Sequence, residues 1–138
     1  MPYEFLEHTA DLKFRANGKN LEEALTESCR ALAHAVYGGK TVKPKSKRIL
    51  EIPYSNRQEL VHDLLDQFLF IIEYEDYIPS EIKVKIDDAD GKAVVELLGD
   101  SVEENNIKIE KEVKAVTYHE MKIEEKDGEC TIQVICDT

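Results

Sequence analysis

The helix read from residues 55–74, "SNRQELVHDLLDQFLFIIEY", has too much apolar surface to stand on its own. Leu60, Val61, Leu64, Leu65, Phe68, Leu69, Ile71 and Ile72 recur at helical spacing and cover more than half of its circumference. An arc of that width is broader than the stripe one neighbouring helix covers, so the rest of the chain has to supply a sheet to lie against it. Ser55 followed by Gln58 has the form of a capping box and sets the expected start of the helix.

Strands are legible on both sides of this helix. "YEFLEH" and "DLKFRA" alternate apolar and polar residues and predict two short strands offering Phe5, Leu12 and Phe14 to one buried surface. Asn17-Gly18 predicts a turn. Asn20 with Glu23 forms a second capping box, opening a helix on which Leu21, Ala24, Leu25, Ser28, Leu32 and Ala35 share a face until Gly38-Gly39 ends it. "KTVKPKSKR" reads as a solvated loop leading into a strand, "ILEIP". From residue 80 the period becomes two: Ile82, Val84 and Ile86 alternate with lysines, Asp-Ala-Asp-Gly turns, and "KAVVELL" returns. "EVKAVTYHEMKIEE" and "ECTIQVICDT" read as a further strand pair joined across Lys126-Asp127-Gly128. The expected architecture is a single α+β domain over residues 1–138, two long helices packed on a mostly antiparallel or mixed sheet.

The balance of 29 acidic against 18 basic residues gives a net charge of -11, which disfavours strong direct binding to nucleic acid. No apolar run reaches membrane-spanning length, and "MPYEFLEH" lacks the form of a signal peptide, so a soluble, cytoplasmic protein is expected. Cys29, Cys130 and Cys136 form no CxxC pair. In an extended strand Cys130 and Cys136 lie on one face about 20 Å apart, too far to bridge, so free thiols are expected.

Most familiar sites are excluded. Aligning Gly91 of "IDDADGKAVVEL" with the obligatory glycine of a calcium loop puts Ile86 and Leu97 where two main ligands belong; this is a hairpin turn. His8, His34, His62 and His119 show no zinc-binding spacing, and His62 with Asp66, one helical turn on, reads as a surface pair. Carboxylates remain. "EHTAD" interrupts the early alternation with His8 and Asp11, either as a turn bonded to its own backbone or as part of a cation site. "TIQVICDT" runs a strand straight into Asp137 and Thr138, which either fray or need a partner for their charge. Asp11, Asp137 and the terminal carboxylate of Thr138 together would form an all-oxygen set selecting a hard ion such as calcium or magnesium.

"YEFLEHTADLKFRANGKNLEEAL" and "VKAVTYHEMKI", followed by a strand ending in an acid, resemble the archease family in order and spacing over nearly the whole chain. The resemblance implies a non-catalytic protein cofactor of the GTP-dependent tRNA-splicing ligase of the RtcB type. Such a cofactor promotes guanylylation of the ligase's active-site histidine, restores multiple turnover and broadens nucleotide use. It also implies a divalent metal, calcium first and magnesium or manganese next, on Asp11, Asp137 and the main-chain or terminal oxygens of Thr138. His8, Tyr118 and His119 are the implied supporting residues. Where many members carry Trp-Leu-Asn-Glu in the second helix this chain has "FLFI" at residues 68–71, so the acid of that run is absent or supplied by Asp66, Glu73 or Asp100.

Two other functions compete with the ligase cofactor. A chaperone of a tRNA methyltransferase would need much the same surface. A metal-dependent hydrolase would want a positive group beside the ion, and only Lys114 and Lys122 flank the second motif.

Overall fold

The computed structural model describes residues 2–7 and 11–138. In chain order the elements are β1 (Tyr3–Leu6), β2 (Leu12–Gly18), α1 (Leu21–Tyr37), β3 (Ser46–Pro53), α2 (Arg57–Tyr74), β4 (Tyr77–Asp87), β5 (Lys92–Ser101), β6 (Ala115–Val116), β7 (Lys122–Lys126) and β8 (Glu129–Asp137). They form a five-stranded sheet ordered β1-β2-β8-β6, with β7 also on β8, and a three-stranded sheet ordered β3-β5-β4. Every pairing is antiparallel. The expected α+β architecture is therefore present, its single sheet resolved into two.

The helices lie between the sheets. α1 packs on β1, β2 and β8 on one side and on β4 on the other, while α2 packs on α1, β3, β4 and β6. The eight apolar residues that form the broad arc of α2 are all buried, while Phe70 and Tyr74 lie outside it. Leu12, Phe14 and Ala16 of β2 meet Cys136, Val134 and Ile132 of β8 in register, all turned into this core. Leu50, Ile52, Val84, Ala93, Val95 and Leu97 close it from the smaller sheet. Each fully buried aliphatic side chain contributes about 1.5–3 kcal/mol.

Several local expectations shift. α1 is capped as read, with the Glu23 N–H donating to Asn20 Oδ1 at 2.8 Å. α2 is capped not by Ser55 but by Asn56, whose Oδ1 accepts from the Glu59 N–H at 2.9 Å; Asn56 Nδ2 donates to Glu59 Oε2 at 3.4 Å in return. The reciprocal pair is therefore Asn56/Glu59, one residue later than Ser55/Gln58. Asn17-Gly18 is the end of β2 rather than a turn. Gly18 is required there by crowding, since a Cβ would stand 2.5 Å from the Ala24 nitrogen. Phe5 is 44% exposed on the edge strand, its ring set edge-on against His34 of α1 at 5.6 Å between centroids rather than buried in the core. Ser46, Lys47 and Arg48 belong to β3 and shorten the basic loop. The hairpin at Asp127-Gly128 is present, with φ of 51° and 73° at those residues. Its expected upstream strand is not continuous: β6 has two residues, and 117–121 is loop and turn before β7 starts at Lys122.

Candidate functional site

The predicted carboxylates stand beside the last pair of the β2–β8 ladder. β2 and β8 are in register from Gly18 opposite Cys130 to Leu12 opposite Cys136, and Asp11 and Asp137 adjoin that last pair, one on each strand. The thiol of Cys136 reports the same placement. It is pushed up to about 12 by burial first, then by the charges of Asp137 and Asp11, so both carboxylates lie within electrostatic reach of one sulfur. Asp11 also lines an open groove of about 380 Å³ with Phe5, Leu6, Lys13, Glu110 and Lys111, which leaves the acid approachable from solvent.

The opposite edge of β8 carries the "VTYH" residues. Val116 pairs with Cys136 and Ala115 with Asp137. The Lys114 N–H donates to the Asp137 carbonyl at 2.8 Å, and Thr117 donates both its N–H and its hydroxyl to the Ile135 carbonyl, at 3.1 and 2.8 Å. Thus the strand end is held from both sides, and Asp137 is not a fraying residue. Tyr118 turns toward α2, its ring stacked on His62 at 4.4 Å between centroids and 8° between planes. His119 Nε2 stands 3.4 Å from Glu120. His8 lies outside the described residues, as do Thr9 and Ala10. Thr138 is half-buried at the strand end.

Three further residues organise this end of the molecule. His62 Nε2 lies 3.1 Å from the Val116 carbonyl and its Nδ1 2.9 Å from Asp63; its partner is therefore Asp63, in place of the Asp66 expected from helical spacing. Glu73 Oε1 accepts the Val113 N–H at 2.9 Å, one residue before the Lys114 amide that binds Asp137. Burial raises the Glu73 carboxyl above its ordinary value, with that N–H opposing the shift. Of the acids expected to replace the missing one, Asp100 is bound to Asn105 and pulled low by it, and Asp66 is exposed on α2. Neither His62 nor Glu73 carries a local signal, because each acts through a backbone group more than 30 residues away along the chain.

The donor set suits a hard cation: two carboxylates and main-chain oxygens, with the nearest thiol turned inward into the core. Among the described residues no three His, Cys, Asp or Glu side chains converge as metal ligands. A set of two carboxylates and main-chain oxygens can hold and present an ion. Among the described residues no helix is long and apolar enough to cross a membrane.

A family profile described as the Archease protein family matches residues 3–138. The chain is 31% identical over 138 residues to the protein archease of Pyrococcus furiosus, covering 98% of this chain and 97% of that one. To the protein archease of Methanothermobacter thermautotrophicus it is 35% identical over 137 residues, with the same coverage, 98% and 97%. The solution structure of Methanobacterium thermoautotrophicum protein 1598 superposes with a TM-score of 0.87 at 34% identity, covering 99% of each chain. A Thermotoga maritima crystal structure, described as an archease and possible chaperone, superposes with a TM-score of 0.63 at 25% identity, covering 96% of this chain and 94% of that one.

Proposed function

The chain belongs to the archease family, and on that premise we propose that it is a protein cofactor of a GTP-dependent tRNA-splicing ligase of the RtcB type, with no catalysis of its own. The observation that carries the reading is that Asp11 and Asp137 adjoin the last β2–β8 pair, Leu12 opposite Cys136, and both act on the Cys136 thiol, at a strand end that β6 also holds. Asp11, Asp137 and the main-chain oxygens of Thr138 hold a divalent cation there, calcium first. When bound, the ion supplies positive charge to phosphate oxygens at the ligase's nucleotide site. The chain's own residues do the rest: pairing with β2 and β6 holds the backbone at the end of β8, so the oxygens that would hold the ion are positioned before it binds. A protein of net charge -11 approaches a basic ligase readily and RNA poorly, so docking beside the ligase leaves the RNA to the ligase. The cytoplasm, where tRNA halves are joined, is the compartment this reading requires.

The test is formation of the ligase's covalent guanylate from GTP in a single round, with and without this protein. The expected result is a faster rise with wild type and none of that acceleration with Asp137→Ala. A second reading is favoured by the Thermotoga maritima relative being described as a possible chaperone. A chaperone of a tRNA methyltransferase would leave the guanylation rate unchanged and instead reduce aggregation of its client.

A further inference from the structure

The exposed arc of α2 is not an ordinary solvated helix face. At about 100° per residue, Glu59, Asp63, Asp66, Phe70 and Tyr74 fall within about 80° of one another and run along a helix about 27 Å long. Phe70 is 55% exposed and Tyr74 73% exposed, their rings 5.2 Å apart, so two large apolar groups stand in water against each other. Tyr118, 52% exposed and stacked on His62, extends the stripe sideways toward β6 and the end of β8. Burial, then the charges of Asp63 and Glu59, push its phenol up, which places those acids around it. After Arg57, itself bound to Asp88 and Glu125, α2 contains no lysine or arginine.

We propose that this stripe is a docking surface for the basic flank of a partner protein, the aromatic pair seating in an apolar recess while the acids meet lysines or arginines around it. Resting on the ligase reading above, it assigns the face by which the ligase is held while the Asp11/Asp137 end reaches the nucleotide. Aromatic anchors ringed by complementary charge are the usual energetic centre of such contacts. A second copy of this chain fits poorly, because two acidic stripes would face each other. RNA is disfavoured by the same charge. The chain's own basic region, around Lys45, Lys47 and Arg48, is already answered by Asp100 at 3.9 Å, Glu96 at 3.0 Å and Glu75 at 3.4 Å.

The test titrates wild type, Phe70→Ala/Tyr74→Ala and Asp66→Lys into the purified cognate ligase, measuring both binding and stimulated guanylation, with circular dichroism as the folding control. The double variant should raise the half-saturating concentration about tenfold or more while reaching the wild-type plateau, since it loses grip and keeps the cation end. Asp66→Lys should weaken binding at low salt, with the difference shrinking as salt screens the charges. Unchanged half-saturation in both variants, with wild type active, overturns the docking assignment alone. A wild type that neither binds nor stimulates the ligase overturns the functional reading and this assignment with it. A wild-type dimer by sedimentation that the double variant abolishes gives the stripe to a second copy and overturns the proposal as well.

Discussion

Asp11 and Asp137 adjoin the last pair of two hydrogen-bonded strands, and a cation shared between carboxylates there would offset their mutual repulsion. A cation that binds only the folded chain raises its stability by mass action, about 2.7 kcal/mol when present at 100 times its dissociation constant. Calcium, magnesium or manganese should therefore raise the melting temperature of wild type, and Asp11→Ala or Asp137→Ala should each remove the shift; a shift unchanged in both variants would take the ion away from this end. Cys136, beside them, gives a second readout. Its thiol is pushed up to about 12 and is fully buried, so the nucleophilic thiolate is scarce at pH 8. Native protein should leave Cys136 unalkylated at that pH, and denaturation without reductant should expose three titratable thiols. Asp11 and Asp137 stood out in the sequence because an acid adjoins an apolar strand pattern at each, and the structure places both beside the Leu12–Cys136 pair. His62 and Glu73 did not, since nothing in a helix sequence shows which distant backbone group a side chain will meet.

Among the elements, α2 was the most legible, because eight buried residues repeat one period over 18 residues and outweigh any local ambiguity. Its cap was misplaced by one residue for a specific reason. Ser55 and Asn56 are both good capping residues, and only the position of Glu59 relative to Asn56 closes the reciprocal bonds. Asn56→Ala should cost about 1 kcal/mol in denaturant unfolding, while Ser55→Ala should stay within about 0.5 kcal/mol; the reverse order would restore Ser55 as the cap. The segment upstream of β7 was over-read as strand. Its alternation is real, but Thr117 spends its N–H and hydroxyl on the Ile135 carbonyl, and the chain bends away after two paired residues. Side chains that bond backbone groups compete with a ladder in this way, and periodicity does not record it.

At the scale of the whole molecule, β1 and β2 near the start and β8 at the end are neighbours in one sheet, so the fold itself brings together carboxylates 126 positions apart. The sequence suggested a link between the two ends through a shared ion; the strand pairing that brings them near carried no signal of its own. The division into two sheets with the helices between them was not foreseen, because a short strand's sequence shows which face is buried but not which sheet it joins. The central claim is that this end of the sheet carries the activity and that the partner does the chemistry. Multiple-turnover ligation of tRNA halves by the cognate ligase, with RNA in excess and this protein substoichiometric, tests it most directly. The account predicts repeated turnover with wild type, loss of most of it with Asp11→Ala or Asp137→Ala at unchanged circular dichroism, and no ligation or GTP hydrolysis by the protein alone. A turnover number that wild type leaves unchanged would contradict it.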